Sequence, residues 1–246
     1  MKKATLVAHR GFRVGVDENT IEGFRMAADL GMDFIELDVR LSMDGRIIVI
    51  HDDTIDRTLD GSGTVSHLQL EELRALRTRG RRKEIAILDE VVSLFQSEIG
   101  FMVELKGEGT PEAVASLVER EEIHDDVIIS SRSLRLLKEF IFHAGEKLVR
   151  TCLNITKCEE FTLEQFISSK DYHDLPIPLD MISLRSSLVA ENFIEKCHEF
   201  NIDAYCWDFM DKRNSLSRAT QLWENGMDGF LLDDPEMARN FKNLFH

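Results

Sequence analysis

Eight short apolar runs recur along the 246 residues: TLVAH (5–9), FIELDV (34–39), FMVELK (101–106), VIISS (127–131), LVRTCL (148–153), MISLR (181–185), AYCWDF (204–209) and GFLLDD (229–234). Between them lie longer amphipathic stretches, TIEGFRMAADLG, LDEVVSLFQSEIG, PEAVASLVERE, LRLLKEFIFHAG, LVAENFIEKCHEFN and SLSRATQLWENG, several of which stop on Gly or Asn. Strand-type runs alternating with helix-type runs are the pattern of βα units around a parallel sheet. Eight such units in a chain this long predict a closed (β/α)8 TIM barrel forming one domain over 1–246, whose C-terminal strand ends carry the site.

One segment breaks the alternation. After FIELDV the chain reads RLSMDGRIIVIHDD, two strands joined through Asp-Gly, which is a hairpin signal and not a helical crossover. Residues about 40–87 therefore read as a hairpin-containing insertion after the second strand, and the hairpin returns His51 to the rim.

The second strand also carries charge. Side chains alternate along a strand, so Glu36 and Asp38 share one face while their neighbours supply β-propensity. Two carboxylates at one buried spot repel each other and call for a cation; the competing reading is a solvated edge strand with both acids in water. Glu104 and Lys106 share a face in the same way at the third strand, either as a surface ion pair or as a third carboxylate with an ammonium beside it. Three oxygen ligands with positions left for water and substrate suit Mg²⁺ or Ca²⁺, with Mn²⁺ as an alternative, better than zinc.

Polar residues cluster where the apolar runs end: His9-Arg10-Gly11, Glu36 and Asp38, Glu104 and Lys106, Trp207-Asp208, and Asp233-Asp234-Pro235. A lone histidine after a strand is usually a hydrogen-bonded core residue. Two of them, His9 and His51, at one rim beside a metal site can divide proton transfer, one taking a proton from a nucleophile and the other giving one to a leaving alkoxide. Arg10 offers a fork that matches phosphate oxygens and Lys106 a point charge, so the set reads as an anion clamp for phosphoryl transfer. His67, His124, His143, His173, His198 and His246 are assigned no role.

Composition excludes other classes. A formal charge of −15 argues against a nucleic-acid surface, since RTRGRRK (77–83) is too short to track phosphates. The opening MKKATLVAHRGF has too few apolar residues for a signal-peptide core, and no run approaches the roughly 18 needed to span a membrane. Cys152, Cys158, Cys197 and Cys206 show no C-x-x-C spacing and read as reduced core thiols of a cytoplasmic protein with no stable membrane insertion.

HRG at 9–11, ENT at 18–20, ELDV at 36–39, DG at 44–45, VIHDD at 49–53, RT at 57–58, VELK at 103–106, SS at 130–131 and DGFLLDDP at 228–235 resemble, in order and spacing, the motif series of glycerophosphodiester phosphodiesterases. The resemblance covers nearly the whole chain. It implies a TIM barrel with a small inserted region, one divalent metal, and hydrolysis of a small-molecule glycerophosphodiester to sn-glycerol 3-phosphate and an alcohol. Carried over by position, Glu36, Asp38 and Glu104 match metal ligands and His9 and His51 the acid/base pair. Arg10 and Lys106 match phosphate contacts, Asn19 a polar site residue and Trp207 an aromatic at the substrate mouth. The chain departs from the family pattern at Asp17, Arg132, Asp208 and Leu232, none of them at the metal or acid/base positions; Arg132 and Asp208 bring charge to the place where the alcohol is sensed. A membrane-acting lysophospholipase D-type enzyme and a non-catalytic phosphate-ester-binding barrel are the alternative functions.

Overall fold

The structure, a computed structural model, describes residues 3–145, 149–209 and 214–245. Strands β1 (Thr5–Ala8) and β2 (Phe34–Leu41) pair in parallel, and β3 (Ile47–Val49) folds back antiparallel on the far end of β2. Six more parallel strands follow: β4 (Gly100–Leu105), β5 (Val127–Ser131), β6 (Arg150–Asn154), β7 (Met181–Arg185), β8 (Asp203–Trp207) and β9 (Gly229–Leu232). Because β1 also pairs with β9, the eight parallel strands close into a barrel with β3 outside it. This is the TIM barrel expected from the alternation. Leu148, read as part of the strand run at 148–153, lies outside the described residues, as does His246.

Alternation along each strand sorts the side chains into two apolar layers. Ile35, Leu37, Val39, Phe101 and Val103 face outward into the main core, with Phe24, Phe95, Phe140 and Phe241 from the surrounding helices. Val7, Met102, Ile128, Cys152, Met181, Tyr205 and Leu231 fill the barrel interior. Two glycines make that interior possible: a Cβ on Gly229 would lie 2.3 Å from the Tyr205 ring, and one on Gly100 would lie 2.4 Å from the Phe34 ring. Each aromatic ring thus occupies the space where its neighbouring strand has no side chain.

The helices α1 (Ile21–Asp29), α3 (Leu88–Phe95), α4 (Thr110–Glu121), α5 (Leu134–Ala144), α7 (Glu191–Glu199) and α8 (Ser215–Glu224) occupy the amphipathic stretches. Thr20 and Ser133 cap α1 and α5, their hydroxyls accepting from Gly23 N and Leu136 N. Three further helices were not read from the sequence: α2 (Leu70–Ala75), α6 (Leu163–Ser168) and α9 (Pro235–Phe245). The first two span six residues each, too short to display a helical period. Among the described residues, no helix is long and apolar enough to cross a membrane.

Between β2 and α3 the chain forms the expected hairpin and excursion. Gly45, at φ +75°, and the Ser42 N to Arg46 O bond of 3.0 Å make the turn. Isolated bridges pair Thr54 with Thr64, Leu59 with Thr78 and Ile48 with Ile87. Ile48, Ile50, Ile55, Leu59, Val65, Leu73, Ile85 and Ile87 form an apolar cluster of their own.

Candidate active site

Register brings the predicted residues together. In the β1–β2 ladder Ala8 stands opposite Ile35, so His9 at the end of β1 follows toward Glu36; in the β2–β4 ladder Asp38 stands opposite Glu104. Glu36, Asp38 and Glu104 are all buried, and carboxylate oxygens from the three lie within 4.8 Å of one another, the sole such acidic, His or Cys cluster among the described residues. The reading of Glu36 and Asp38 as a solvated edge pair is overturned, because both point into the barrel mouth at 1% exposure.

Each acid has a different partner. The Arg10 backbone N–H donates to Glu36 Oε2 at 2.8 Å, Asn19 Nδ2 donates to Asp38 Oδ2 at 3.0 Å, and Lys106 Nζ donates to Glu104 Oε1 at 2.6 Å while lying 3.1 Å from Asp38 Oδ1. The Arg10 guanidinium is turned to Asp38 and Glu18, at 3.2 and 3.0 Å. Burial, reinforced by the charge on Asp38, pushes the Glu36 carboxyl well above the carboxylate range. Asp38 goes the other way: burial works to raise it, but Lys106 and Arg10 hold it far below. Among the described residues, Glu36 Oε1 and Asp38 Oδ1 are buried and accept no hydrogen bond. Acidic oxygens so placed fit a hard divalent cation.

Both histidines stand at the same rim with Nδ1 on a carboxylate. His9 Nδ1 lies 2.8 Å from Asp233 Oδ1, and its Nε2 is 3.9 Å from Glu36 Oε2. His51 Nδ1 lies 2.6 Å from Asp52 Oδ1. Burial alone would lower the His9 pKa, but Asp233 and Glu36 raise it; for His51 burial prevails, aided by Lys106 and Arg10, and its pKa falls. The two rings are therefore biased to opposite protonation states.

Several supporting residues escaped the sequence reading. Asp233 was noted only as a polar strand end, and Asp52 only as a letter in a motif; each orients a histidine. Arg57, from the insertion, binds Asp52 Oδ2 at 2.5 Å and Glu18 Oε1 at 2.7 Å, tying the support of His51 to the support of Arg10. Arg40 donates to the His51 and Lys106 carbonyls at 3.0 and 3.2 Å. Asn19, which the resemblance had already marked as a polar site residue, contacts Asp38 through both of its side-chain polar atoms. No single-residue signal marks these roles, though an acid directly after a rim histidine is one that could have been used.

Trp207, at the end of β8, lies with its ring centroid 6.3 Å from that of His9. Of the departures from the family pattern, Asp17 accepts from Thr78 Oγ1 and Arg81 N, both at 2.6 Å, and so ties the loop before α1 to the insertion. Leu232 is buried in the outer core, whereas Arg132 and Asp208 stand at the rim near Trp207.

Comparison with known proteins agrees with this geometry. The model of the glycerophosphoryl diester phosphodiesterase family matches residues 9–237. A glycerophosphodiester phosphodiesterase of Caldanaerobacter subterraneus is 31% identical over 261 residues, covering 97% of both chains. Another, from Bacillus altitudinis, is 33% identical over 253 residues, covering 95% of this chain and 96% of its own. Among solved structures, glycerophosphodiester phosphodiesterase from Agrobacterium tumefaciens superposes with a TM-score of 0.80 at 25% identity, over 96% of this chain and 99% of that one. An Oleispira antarctica phosphodiesterase, solved with its product sn-glycerol-3-phosphate, has the same fold, with a TM-score of 0.79 at 21% identity over 98% of this chain and 97% of that one. Fold and matches agree on a TIM-barrel phosphodiester hydrolase. The chain belongs to the glycerophosphoryl diester phosphodiesterase family.

Proposed function

We propose that this chain, acting as one barrel domain with its insertion, hydrolyses glycerophosphodiesters to sn-glycerol 3-phosphate and an alcohol with the aid of one divalent metal, Mg²⁺ or Ca²⁺ with Mn²⁺ as an alternative. The observation that carries this reading is the convergence of two carboxylate-backed histidines on a buried three-acid cluster. Glu36, Asp38 and Glu104 would hold the metal, which when bound supplies Lewis-acid stabilisation of charge developing on the phosphoryl oxygens.

The chain's own residues do the rest. Lys106 and the Arg10 guanidinium bring positive charge to the phosphate side, and Asn19 fixes Asp38. His51, biased to the neutral form, accepts the proton of the attacking hydroxyl. His9, biased to the protonated form between Asp233 and Glu36, gives a proton to the leaving oxygen. The attacking hydroxyl is that of water, or the glycerol 2-hydroxyl by way of a cyclic phosphate, and the same two rings serve either route. Trp207 packs beside His9 at the mouth. A reducing, cytoplasmic setting accords with four buried free cysteines.

The test is release of glycerol 3-phosphate from choline, ethanolamine, glycerol and inositol diesters with Mg²⁺, Ca²⁺, Mn²⁺ or EDTA, for the native protein, Glu36→Ala, His9→Ala and His51→Ala. Metal-dependent release is expected, lost in Glu36→Ala and lowered on the order of 10²–10⁴ by either histidine change. Release that persists in EDTA, or near-native turnover without a histidine, removes the metal or that ring from the mechanism.

A further inference from the structure

Among the described residues, three N–H donors on the β5–β8 side of the rim are buried and make no hydrogen bond: Arg132 Nε, Arg185 Nε and Trp207 Nε1. Arg132 directly follows β5, and Arg185 closes β7 in register with Trp207 at the end of β8. Both guanidinium groups lie over the indole, their Cζ atoms 5.2 and 4.9 Å from the ring centroid. Neighbouring acids pair with them by charge without completing their hydrogen bonds. Arg132 Nε is 3.8 Å from Glu104 Oε1, an oxygen that already takes Lys106 at 2.6 Å. Arg185 Nε is 3.2 Å from Asp208 Oδ2 without the alignment of a hydrogen bond. On the β6 end between the two arginines, Asn154 Oδ1 is a buried acceptor that likewise makes no hydrogen bond among the described residues.

A phosphodiester carries one negative charge, and Arg10 and Lys106 already stand on its side of the rim. Two more guanidinium groups stacked on an indole, with Asp208 offsetting one of their charges, still exceed what a diester with a neutral alcohol requires. We propose that the β5–β8 side of the rim takes the alcohol half of the substrate and selects alcohols that bear an oxyanion of their own, carboxylate or phosphate, bound by Arg132 and Arg185 on the Trp207 platform. The inference rests on the diester-hydrolase reading and names its preferred substrate class. Asn154 Oδ1 then accepts from a hydroxyl or amine of the same alcohol.

The test is equilibrium binding to the full chain in EDTA, where hydrolysis is suppressed, of two ester pairs. Glycerophosphoserine and glycerophosphoethanolamine differ by one carboxylate; glycerophosphoinositol and its 4-phosphate differ by one phosphate. The native protein is expected to bind the anionic member of at least one pair about tenfold tighter, as a charge-assisted contact provides; which pair responds distinguishes carboxylate from phosphate. The preference is expected to vanish in Arg132→Met/Arg185→Met and to survive in Arg132→Lys/Arg185→Lys, which keeps the charge. Equal affinity within both pairs for the native protein overturns the proposal, as does an equal loss for all four esters in the Met variant. If no ester is turned over with metal while the binding preference stands, the hydrolase reading fails and the assignment of this surface holds.

Discussion

Arg10 donates its backbone N–H to Glu36 Oε2 at 2.8 Å from a left-handed backbone conformation, φ +54° and ψ +31°. The same residue sends its guanidinium to Asp38. One arginine therefore serves both carboxylates of β2, the main chain bound to one and the side chain to the other. Such a conformation is uncommon for a residue with a Cβ, and Asn19, which braces Asp38, shares it at φ +57°. Two of the seven non-glycine residues with positive φ among the described residues thus touch the site's acids, where the surrounding barrel can hold such strain.

Asp233 holds the pKa of His9 up against the burial that would lower it. With its charge removed in Asp233→Asn, the pKa of His9 falls, since burial then acts with less opposition. A proton donor works below its pKa and is lost above it, so the alkaline limb of the kcat–pH profile is expected to move to lower pH. Turnover at neutral pH falls by up to about 10²–10⁴, the share general acid catalysis carries. An unmoved alkaline limb assigns that limb to another group.

In the proposed mechanism Arg57 positions His51 through Asp52 and touches no reacting atom. Arg57→Met releases Asp52 and Glu18 together, and kcat is expected to drop by about 10–100-fold, the usual effect of losing such support, with KM little changed. Arg57→Lys is expected to recover part of the loss. Equal activity in the Met variant would mean that His51 is oriented by Asp52 unaided.

Metal affinity is expected to depend on pH through Glu36. Burial and the charge on Asp38 push this carboxyl up to about 8. A metal takes the ionised form, so binding below that pH displaces a proton; affinity rises with pH and levels off above it, by at most about tenfold per unit. Titration calorimetry in buffers of different ionisation heat reads the proton released. Affinity that is flat with pH and releases no proton would take Glu36 out of the ligand set.

In the barrel interior, Gly229→Ala places a methyl group 2.3 Å from the Tyr205 ring. Overpacking of this kind costs about 1–3 kcal/mol, read as a lowered Tm. Tyr205→Leu in the same chain is expected to relieve the loss, so that the two changes are less than additive in thermal unfolding. Additive losses would show that the ring yields without strain.

The barrel was legible because its signals are local: apolar runs for strands, a period near 3.6 for helices, Asp44-Gly45 for the hairpin. Alternation alone put Glu36 and Asp38 on one face, and the hairpin alone returned His51 to the rim. The partners were not legible, because they depend on closure. Asp233 meets His9 across 224 positions of sequence, and nothing near His9 indicates which strand closes against β1. Arg132, Arg185 and Trp207 come from three different strand ends; the resemblance marked Trp207 and Arg132 separately, and nothing near Arg185 marked it or joined the three.

The apolar cluster from Ile48 to Ile87 is separate from the two cores of the barrel. His51 stands where that lobe meets β2, its carbonyl held by Arg40, while the three acids lie within the closed strands and His9 directly follows β1. A lobe with its own small core is expected to unfasten at lower free energy than the strands beneath it. Heat or denaturant should thus silence the enzyme before the barrel melts, and amide exchange should be faster across the lobe than across β2 and β4. Thermal tolerance of activity is then a property of the lobe, open to tuning by substitutions that leave the barrel's own melting temperature where it is.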